Sequence, residues 1–213
     1  MTLRLHLLRH GQTPLSRENV FCGRKLDPPL TPDGQAMAEA FAAAYRAVAW
    51  KAIYTSPLGR AVATATPLSR ATGIPLEACD GLAELDYGEW DGKSAEDVDG
   101  AYHDAYVRWS SDPAWNAPTG GETAIALAQR ITDVIEDIRT AHSDGEVLVV
   151  SHKASIRVLL CALLGVDVGR FRYRFGCPVG SVSIVEFGEH GPLAASIADR
   201  SHLDVTLRGL PGT

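Results

Sequence analysis

Short apolar segments that alternate with helical segments constrain the fold of this chain most strongly. Residues 3–8 and 146–150 are apolar runs of strand length, and residues 51–55 and 74–79 form two more short strand segments. Helical patterns are expected over residues 31–48, 56–71, 123–142 and 151–164. Nearly continuous apolar strands are typical of parallel sheets that are covered on both faces. The alternation therefore predicts a three-layer α/β/α fold with a mostly parallel central sheet.

Capping signals set the expected helix boundaries. Thr31-Pro32 and Ser56-Pro57 each place a capping residue before a proline, and proline suits the first position of a helix. Gly73 and Gly165 follow two of the helical segments and are interpreted as their stop signals.

The C-terminal part of the chain has a different pattern. Residues 182–187 and 193–198 flank a Gly-Glu-His-Gly turn, which predicts a terminal antiparallel hairpin. The last residues, 207–213, are expected to form a loose tail. Because 213 residues can bury one substantial core, we expect a single domain over residues 1–213.

Residues 80–121 interrupt the alternation. This segment is rich in Gly, Asp, Trp and Tyr, has weak periodicity, and is expected to hold one or two short helices around residues 95–110. Such an insertion can form a lid over a site, and a plain surface excursion is the alternative. Its aromatic residues either line a pocket mouth or form a small core of their own. They include Tyr87, Trp90, Trp109 and Trp115.

Composition limits the partners and the compartment. The formal net charge is -6 and no basic run occurs, which argues against nucleic acid as a main partner. No run approaches the roughly 18–20 apolar residues of a membrane helix, and charges interrupt the N-terminal apolar run, unlike a signal peptide. The four cysteines form no C-x-x-C pair, which indicates reduced thiols, a cytoplasmic protein and no zinc site. The sequence leaves a homodimer open.

Two histidines occupy equivalent places at the ends of strand segments. His10 follows the first strand within Arg9-His10-Gly11, and His152 follows the strand over residues 146–150. Active sites of open α/β sheets form outside the carboxyl ends of the strands. Gly11 permits a sharp turn and close approach to a ligand, and His152 opens a helix whose free N–H groups favour an anion. One histidine alone is more often structural, but the pair favours a shared site.

Phosphoryl transfer suits two histidines and an arginine. A neutral imidazole can attack phosphorus directly, so His10 is expected to form a phosphohistidine. Arginine forks and further donors would neutralise the phosphoryl oxygens. A nearby carboxylic acid would protonate the leaving alkoxide. This chemistry requires neither a metal nor a cofactor.

Six short motifs, in a fixed order, cover roughly residues 3–187. They are residues 8–13 (LRHGQT), 30–34 (LTPDG), 56–65 (SPLGRAVATA), 82–92 (LAELDYGEWDG), 120–123 (GGET) and 149–152 (VVSH). Together they resemble the histidine phosphatase superfamily, also called the phosphoglycerate mutase-like family. An R-H-G triplet alone would be a weak signal, whereas six ordered motifs are specific.

The resemblance implies a role for each matching position. His10 would be the phosphorylated nucleophile, and Arg9 and Arg60 would clamp the phosphoryl oxygens. His152 would donate a further hydrogen bond to them. Glu84 would protonate the leaving group and later deprotonate the attacking water. Outside this pattern, Arg60 and Glu84 would be taken for surface residues.

Some positions carry weaker implications. Ser16 stands where many members have an asparagine, and Cys22-Gly23 falls where mutases usually have Thr-Gly. With Gly11, these are candidate substrate-binding residues. Lys153 replaces the glycine that follows the second histidine in mutases. Lys153 either faces the pocket and binds a second anionic group or lies on the exposed side of the helix start.

The resemblance implies a phosphatase or a mutase. The family's mutases hold a bisphosphorylated intermediate with a longer insertion that contains an Arg-Arg pair and a lysine. The insertion here contains Lys93 and Arg108 as its cations. A phosphatase of a small phosphorylated metabolite is therefore favoured over a cofactor-dependent phosphoglycerate mutase. A catalytically silent interaction module of the same fold is the alternative from another class.

Overall fold

The computed structural model describes residues 2–212. Its strands are Leu3–Arg9 (β1), Trp50–Thr55 (β2), Leu76–Ala78 (β3), Gly145–Ser151 (β4), Val182–Gly188 (β5) and Gly191–Asp199 (β6). Its helices are Pro14–Arg17 (α1), Pro32–Tyr45 (α2), Gly59–Thr72 (α3), Ala95–Ser111 (α4), Ala124–Ala141 (α5), Lys153–Leu164 (α6), Phe171–Arg174 (α7) and Val205–Gly209 (α8).

The strands form one mixed sheet in the order β3–β2–β4–β1–β5–β6. β1 to β4 run parallel to one another, whereas β5 runs antiparallel to β1, and β6 runs antiparallel to β5. The mostly parallel sheet with its terminal antiparallel hairpin confirms the predicted fold class.

Helices cover both faces of this sheet. α5 and α6 contribute to the core on one face, and α2 and α3 contribute to the core on the other. In the central strand β4, Val147 and Val149 belong to the first core, whereas Leu148 and Val150 belong to the second. Burial on both faces explains why β4 is apolar at every one of these positions.

The start of α3 differs from the sequence prediction. α2 begins at Pro32 and is capped by Thr31 as expected, but α3 begins at Gly59, with Leu58 as its N-cap. The Ser56 hydroxyl is used elsewhere, because it lies 2.7 Å from Nε2 of His152. Ser56 therefore has the sequence pattern of a helix cap but forms a hydrogen bond with a distant residue instead.

The C-terminal segment is folded onto the domain, so the predicted loose tail is wrong for the residues described. Leu207 and Leu210 pack against a small core that contains Met37 and Val179. The carbonyl oxygens of the Pro-Gly pair that follows accept hydrogen bonds from other parts of the chain. A stretch this short carries too few apolar residues for its tertiary contacts to be read from sequence.

The insertion carries its own aromatic core. α4 corresponds to the expected short helices and is kinked at Tyr102, whose φ and ψ are not helical. Trp90 and Trp109 are buried beside Val98, with Phe21 packed against them. Trp115 is 73% exposed. The aromatic residues of the segment therefore mostly pack against one another.

Candidate active site

β1 and β4 bring His10 and His152 together. The two strands are parallel neighbours, and their register pairs Arg9 with Ser151. Each histidine follows that pair by one residue, so both lie at the carboxyl edge of the sheet. Their ring centroids are 5.2 Å apart. The structure thus places both predicted histidines in one site.

The His10 ring is poised as a neutral imidazole. Its Nδ1 lies 2.8 Å from the carbonyl oxygen of Gly11, and because a carbonyl can only accept, Nδ1 carries the proton. Nε2 therefore presents a lone pair. Burial, with the nearby charges of Arg60 and Arg9, lowers the pKa of His10 well below its usual value. A neutral ring is the form that attacks phosphorus.

His152 is fully buried and is oriented by Ser56 at the end of β2. The Ser56 oxygen accepts from the backbone N–H of Leu58, and the hydroxyl can donate its own proton to Nε2 of His152. In that arrangement the proton of the neutral ring sits on Nδ1. Burial and the charge of Arg60 lower the pKa of His152 well below its usual value.

Arg9 is a buried cation that backbone carbonyls hold in place. Its Nη1 donates to the carbonyl oxygens of Cys177, at 2.6 Å, and Gly212, at 2.7 Å. Burial lowers the pKa of Arg9 to about 10, so the guanidinium stays protonated at neutral pH. Because both Nη1 protons are used, Nη2 and Nε are left to face an anion.

Arg60 is held in a similar way from the other side of the site. Nη1 donates to the Leu26 carbonyl at 2.8 Å and lies 3.2 Å from Oδ1 of Asp27, while Nη2 donates to the Gly23 carbonyl at 2.9 Å. The side chain is 1% exposed. These partners belong to the loop before α2, so this loop and α3 fix the guanidinium together.

Three buried nitrogen atoms at this site lack a hydrogen-bond partner among the described residues. They are Nε of Arg9, Nε of Arg60 and Nδ1 of His152. A buried donor without an acceptor costs stability, so each such atom calls for a ligand or a solvent molecule. Three donors around a neutral histidine fit the oxygens of a phosphoryl group.

Glu84 is buried at the start of α6. One carboxylate oxygen accepts from the backbone N–H and the hydroxyl of Ser155, at 3.1 and 3.0 Å, and also from the N–H of Leu85 at 2.8 Å. The other oxygen accepts from the N–H of Ala154 at 3.1 Å. Two backbone N–H groups and a hydroxyl at the start of α6, together with the N–H of Leu85, therefore hold the carboxylate in place at the cavity.

Arg130 on α5 positions the loop that carries Glu84, and the sequence analysis missed it. Its Nη1 donates to the carbonyls of Gly81 and Ala83, both at 2.8 Å, and its Nη2 donates to the carbonyl of Glu84 at 3.0 Å. A bidentate ion pair with Glu122 orients the guanidinium. The GGET motif marked Glu122, whereas Arg130 looks like any polar residue of an amphipathic helix.

His10, Arg9 and Glu84 line a cavity of about 290 Å³. Arg60 and His152 are almost completely buried and are not among the residues that line it. The volume is at the lower end of ligand pockets, which run from roughly 300 to 1,000 Å³. The cavity therefore suits a small metabolite.

Among the weaker candidates, Gly11 and Gly23 do not line this cavity. The N–H of Gly11 donates to the Thr64 hydroxyl at 3.0 Å, and a Cβ atom there would collide with the Gly34 carbonyl. The close approach at Gly11 is thus to α2 rather than to a ligand. Gly23 acts on the site through its carbonyl, which holds Arg60.

Ser16, Cys22 and Lys153 do line the cavity. The Ser16 hydroxyl donates to the Thr13 carbonyl at 3.0 Å, within the capping box of α1. Burial raises the pKa of the Cys22 thiol to about 11, so it is not a thiolate at neutral pH. Of the two orientations open for Lys153, the structure has the one that faces the cavity.

The family assignment rests on this geometry and on a match over most of the chain. The family described as the histidine phosphatase superfamily, branch 1, matches residues 5–200. This chain belongs to the histidine phosphatase superfamily. The predicted resemblance is thereby confirmed.

Related phosphatases match nearly the whole chain. Phosphoserine phosphatase 1 of Hydrogenobacter thermophilus is 31% identical over 201 residues, which cover 94% of each chain. Glucosyl-3-phosphoglycerate phosphatase of Mycolicibacterium vanbaalenii is 33% identical. The match covers 88% of the chain described here and 84% of the relative. Both relatives are named as phosphatases of small metabolites.

Solved structures of the superfamily share the fold. YhfR of Bacillus stearothermophilus superposes with a TM-score of 0.88 at 29% identity, over 95% of this chain and 100% of that one. The mycobacterial glucosyl-3-phosphoglycerate phosphatase Rv2419c gives a TM-score of 0.85 at 26% identity, over 94% and 100%.

Within residues 2–212, no helix is both long and apolar enough to cross a membrane. No cluster of three or more histidine, cysteine or acidic side chains is arranged to hold a metal ion in the same range. The cytoplasmic location, the lack of a nucleic-acid partner and a homodimer stay predictions.

Proposed function

We propose that this superfamily member hydrolyses phosphomonoesters of small metabolites through a phosphohistidine at His10. The observation that carries the proposal is the set of buried donors on Arg9, Arg60 and His152 around the neutral His10 ring. A phosphoryl group has three non-bridging oxygens that such donors can bind, and its transfer depends on positioning and charge stabilisation.

In the first half-reaction, Nε2 of His10 attacks phosphorus opposite the ester oxygen. The N–P bond forms as the ester P–O bond breaks, and Glu84 in its acid form gives its proton to the leaving oxygen. An alcohol departs. Arg9, Arg60 and His152 hold the non-bridging oxygens meanwhile.

In the second half-reaction, the Glu84 carboxylate takes a proton from a water molecule whose oxygen attacks phosphorus. The N–P bond breaks, His10 returns to its neutral form, and inorganic phosphate leaves. The net reaction converts ester and water into alcohol and phosphate.

Glu84 suits both roles. Its carboxyl group lines the cavity beside His10, and its hydrogen bonds to Leu85, Ala154 and Ser155 fix its position. A carboxyl group held at this place can give a proton to the leaving oxygen and take one from water.

The test is the hydrolysis of p-nitrophenyl phosphate by the wild type, His10→Ala and His190→Ala. His190 is an exposed histidine in the turn between β5 and β6, so its variant is the matched control. We expect His10→Ala to lose activity by roughly 10⁴-fold or more, because the nucleophile is gone. Rapid acid and alkaline quenching of the wild type should reveal a phosphoenzyme that is acid-labile and base-stable. Near-normal activity of His10→Ala, or an acid-stable adduct, would overturn the assignment.

The mutase alternative is tested by its dependence on a bisphosphoglycerate. Neither Lys93 nor Arg108 of the insertion lines the cavity, so the insertion supplies no second phosphate site there among the described residues. We expect phosphate release without added bisphosphoglycerate. A strict requirement for that cofactor would instead favour the mutase, and no phosphate release from any ester would favour the silent module.

A further inference from the structure

The cavity has a second group of cations besides Arg9 and Arg60, the arginines proposed to bind the phosphoryl group. Lys153 and Arg157 on α6 and Arg172 on α7 all line it. Lys153 and Arg157 are four residues apart, so they lie on the same face of the helix, one turn from each other. All three side chains are half-buried rather than exposed.

Arg157 and Arg172 are not balanced by carboxylates in the cavity wall. Among the described residues, Glu84 is the one acidic side chain in the lining, and its oxygens already accept from the start of α6. Within residues 2–212, neither Arg157 nor Arg172 forms an ion pair, and Nε of Arg157 is buried without a hydrogen-bond partner.

Arg172 is oriented by the insertion rather than by an acid. Its guanidinium stacks 4.2 Å from the ring centroid of Trp109, and its Nη1 lies 3.5 Å from the hydroxyl of Ser110. Stacking on an aromatic face leaves the edge of the guanidinium available as a planar fork of donors. α4 therefore helps to fix Arg172 at the cavity.

Like charges that line one cavity repel one another. A pair of equal charges four residues apart on a helix is unfavourable, and the nearby charges of Arg9 and Arg157, after burial itself, lower the pKa of Lys153 to about 8. A bound anion would relieve both the repulsion and the unsatisfied donor on Arg157.

Resting on the function proposed above, we propose that Lys153, Arg157 and Arg172 form a second anion subsite. The preferred substrates are then small phosphomonoesters that carry another anionic group, such as phosphorylated hydroxy acids or amino acids. Arg9, Arg60 and His152 hold the phosphoryl group, while the second subsite binds the other anion. A cavity of about 290 Å³ suits small substrates of this kind.

The experiment compares substrates that differ in one anionic group. O-phosphoserine has a carboxylate that phosphoethanolamine lacks. 3-Phosphoglycerate has a carboxylate where glycerol 3-phosphate has a hydroxymethyl group. We expect kcat/KM to be at least about tenfold higher for the carboxylate member of a pair, in line with a charge-assisted hydrogen bond. Glucose 1,6-bisphosphate against glucose 6-phosphate tests phosphate as the second group.

Variants locate the preference on the second subsite. Arg157→Met removes the charge and keeps much of the bulk, and it should bring the ratio of kcat/KM within each pair close to one. Arg157→Lys restores the charge and should recover most of the ratio. Arg70→Met removes the charge of an exposed arginine at the end of α3 and should leave the ratio as in the wild type.

Binding measurements keep this inference separate from the catalytic proposal. Titration calorimetry of the His10→Ala variant with each pair gives the affinity ratio even where no hydrolysis occurs. Equal kcat/KM and equal affinity within all three pairs would overturn the second subsite while hydrolysis of p-nitrophenyl phosphate still supported the phosphatase. An unchanged ratio in Arg157→Met would overturn it as well. A preference in the bisphosphate pair alone supports the subsite and identifies its ligand as phosphate.

Discussion

At the level of single residues, burial sets the protonation states of the two site histidines. Moving a histidine away from water penalises its charged form, and two nearby guanidinium groups penalise it further. His10 and His152 are both in this situation, with Arg9 and Arg60 as the cations. The arrangement keeps the nucleophile neutral at a site that is otherwise prepared for an anion.

A neutral buried histidine makes stability depend on pH. Because the folded-state pKa values of His10 and His152 lie below that of an unfolded histidine, the unfolded chain binds more protons as the pH falls below about 6.5. The free energy of unfolding should therefore fall between pH 7.5 and 5.5. In His10→Asn the decline should be shallower, by up to about 1.4 kcal/mol per pH unit, since one titrating ring is removed.

Urea unfolding at several pH values measures this slope. His190→Asn, which replaces an exposed histidine, is the control and should follow the wild-type decline. Parallel curves for the wild type and His10→Asn would show that the His10 ring does not titrate differently in the two states.

At the scale of elements, the C-terminal segment helps to position Arg9 of the site through backbone carbonyl groups. The Gly212 carbonyl accepts from Arg9 at 2.7 Å and from the backbone N–H of Val179 at 3.1 Å. The Pro211 carbonyl accepts from Gln12 at 2.8 Å. Since Arg9 donates one hydrogen bond to Gly212 and another to the Cys177 carbonyl, the position of this segment helps to fix the direction of the remaining donors.

Gly212→Val tests this positioning. Gly212 has a φ of +133°, which side chains rarely adopt, and a Cβ atom there would lie 2.9 Å from Cγ1 of Val179. The substitution should move the carbonyl away from Arg9 and lower kcat/KM for p-nitrophenyl phosphate about ten- to a hundredfold, because phosphoryl transfer is sensitive to small misplacements. Pro211→Ala keeps both carbonyls and should stay within about twofold of the wild type.

A structural role without effect on Arg9 would give a different result. In that case Gly212→Val would lower the melting temperature and leave kcat/KM at a permissive temperature unchanged. Steady-state kinetics and thermal melts of the same samples separate the two outcomes.

For the whole molecule, we propose that the insertion and the sheet form one domain. The insertion supplies Glu84 and Trp109 to the cavity, and Arg130 on α5 binds the backbone around Glu84 through three carbonyls. Arg172 on α7 stacks on Trp109. The insertion is thus joined to the layers around the sheet at the site itself, which favours a single cooperative unit.

Unfolding followed by two probes tests this proposal. In a Trp50→Phe variant the remaining tryptophans, at positions 90, 109 and 115, lie in the insertion, so their fluorescence follows that segment. We expect the fluorescence transition in urea to coincide with the transition in far-ultraviolet circular dichroism, which follows the helices around the sheet. An earlier fluorescence transition would show that the insertion unfolds as a separate unit.

Local sequence patterns predicted most helices and strands correctly. They failed where a residue forms a tertiary contact instead of the local one. Thr31 caps α2 as its sequence predicts, because both partners of that hydrogen bond are neighbours in the chain. Ser56 has an equally good local signature but is used by His152, a residue 96 positions away. The tail was misjudged for the same reason, since its partners Arg9 and Gln12 are about 200 residues away.

The sequence by itself determined the α/β layers, the two strand ends that carry His10 and His152, and the family, because periodicity and ordered motifs are local properties of the chain. Only the tertiary structure decided that Lys153 faces the cavity, that Arg157 and Arg172 join it there, and that Arg130 and Gly212 hold Glu84 and Arg9. These relations depend on helix phase and on contacts between distant segments, and burial strengthens the resulting charge interactions in ways that residue order does not encode.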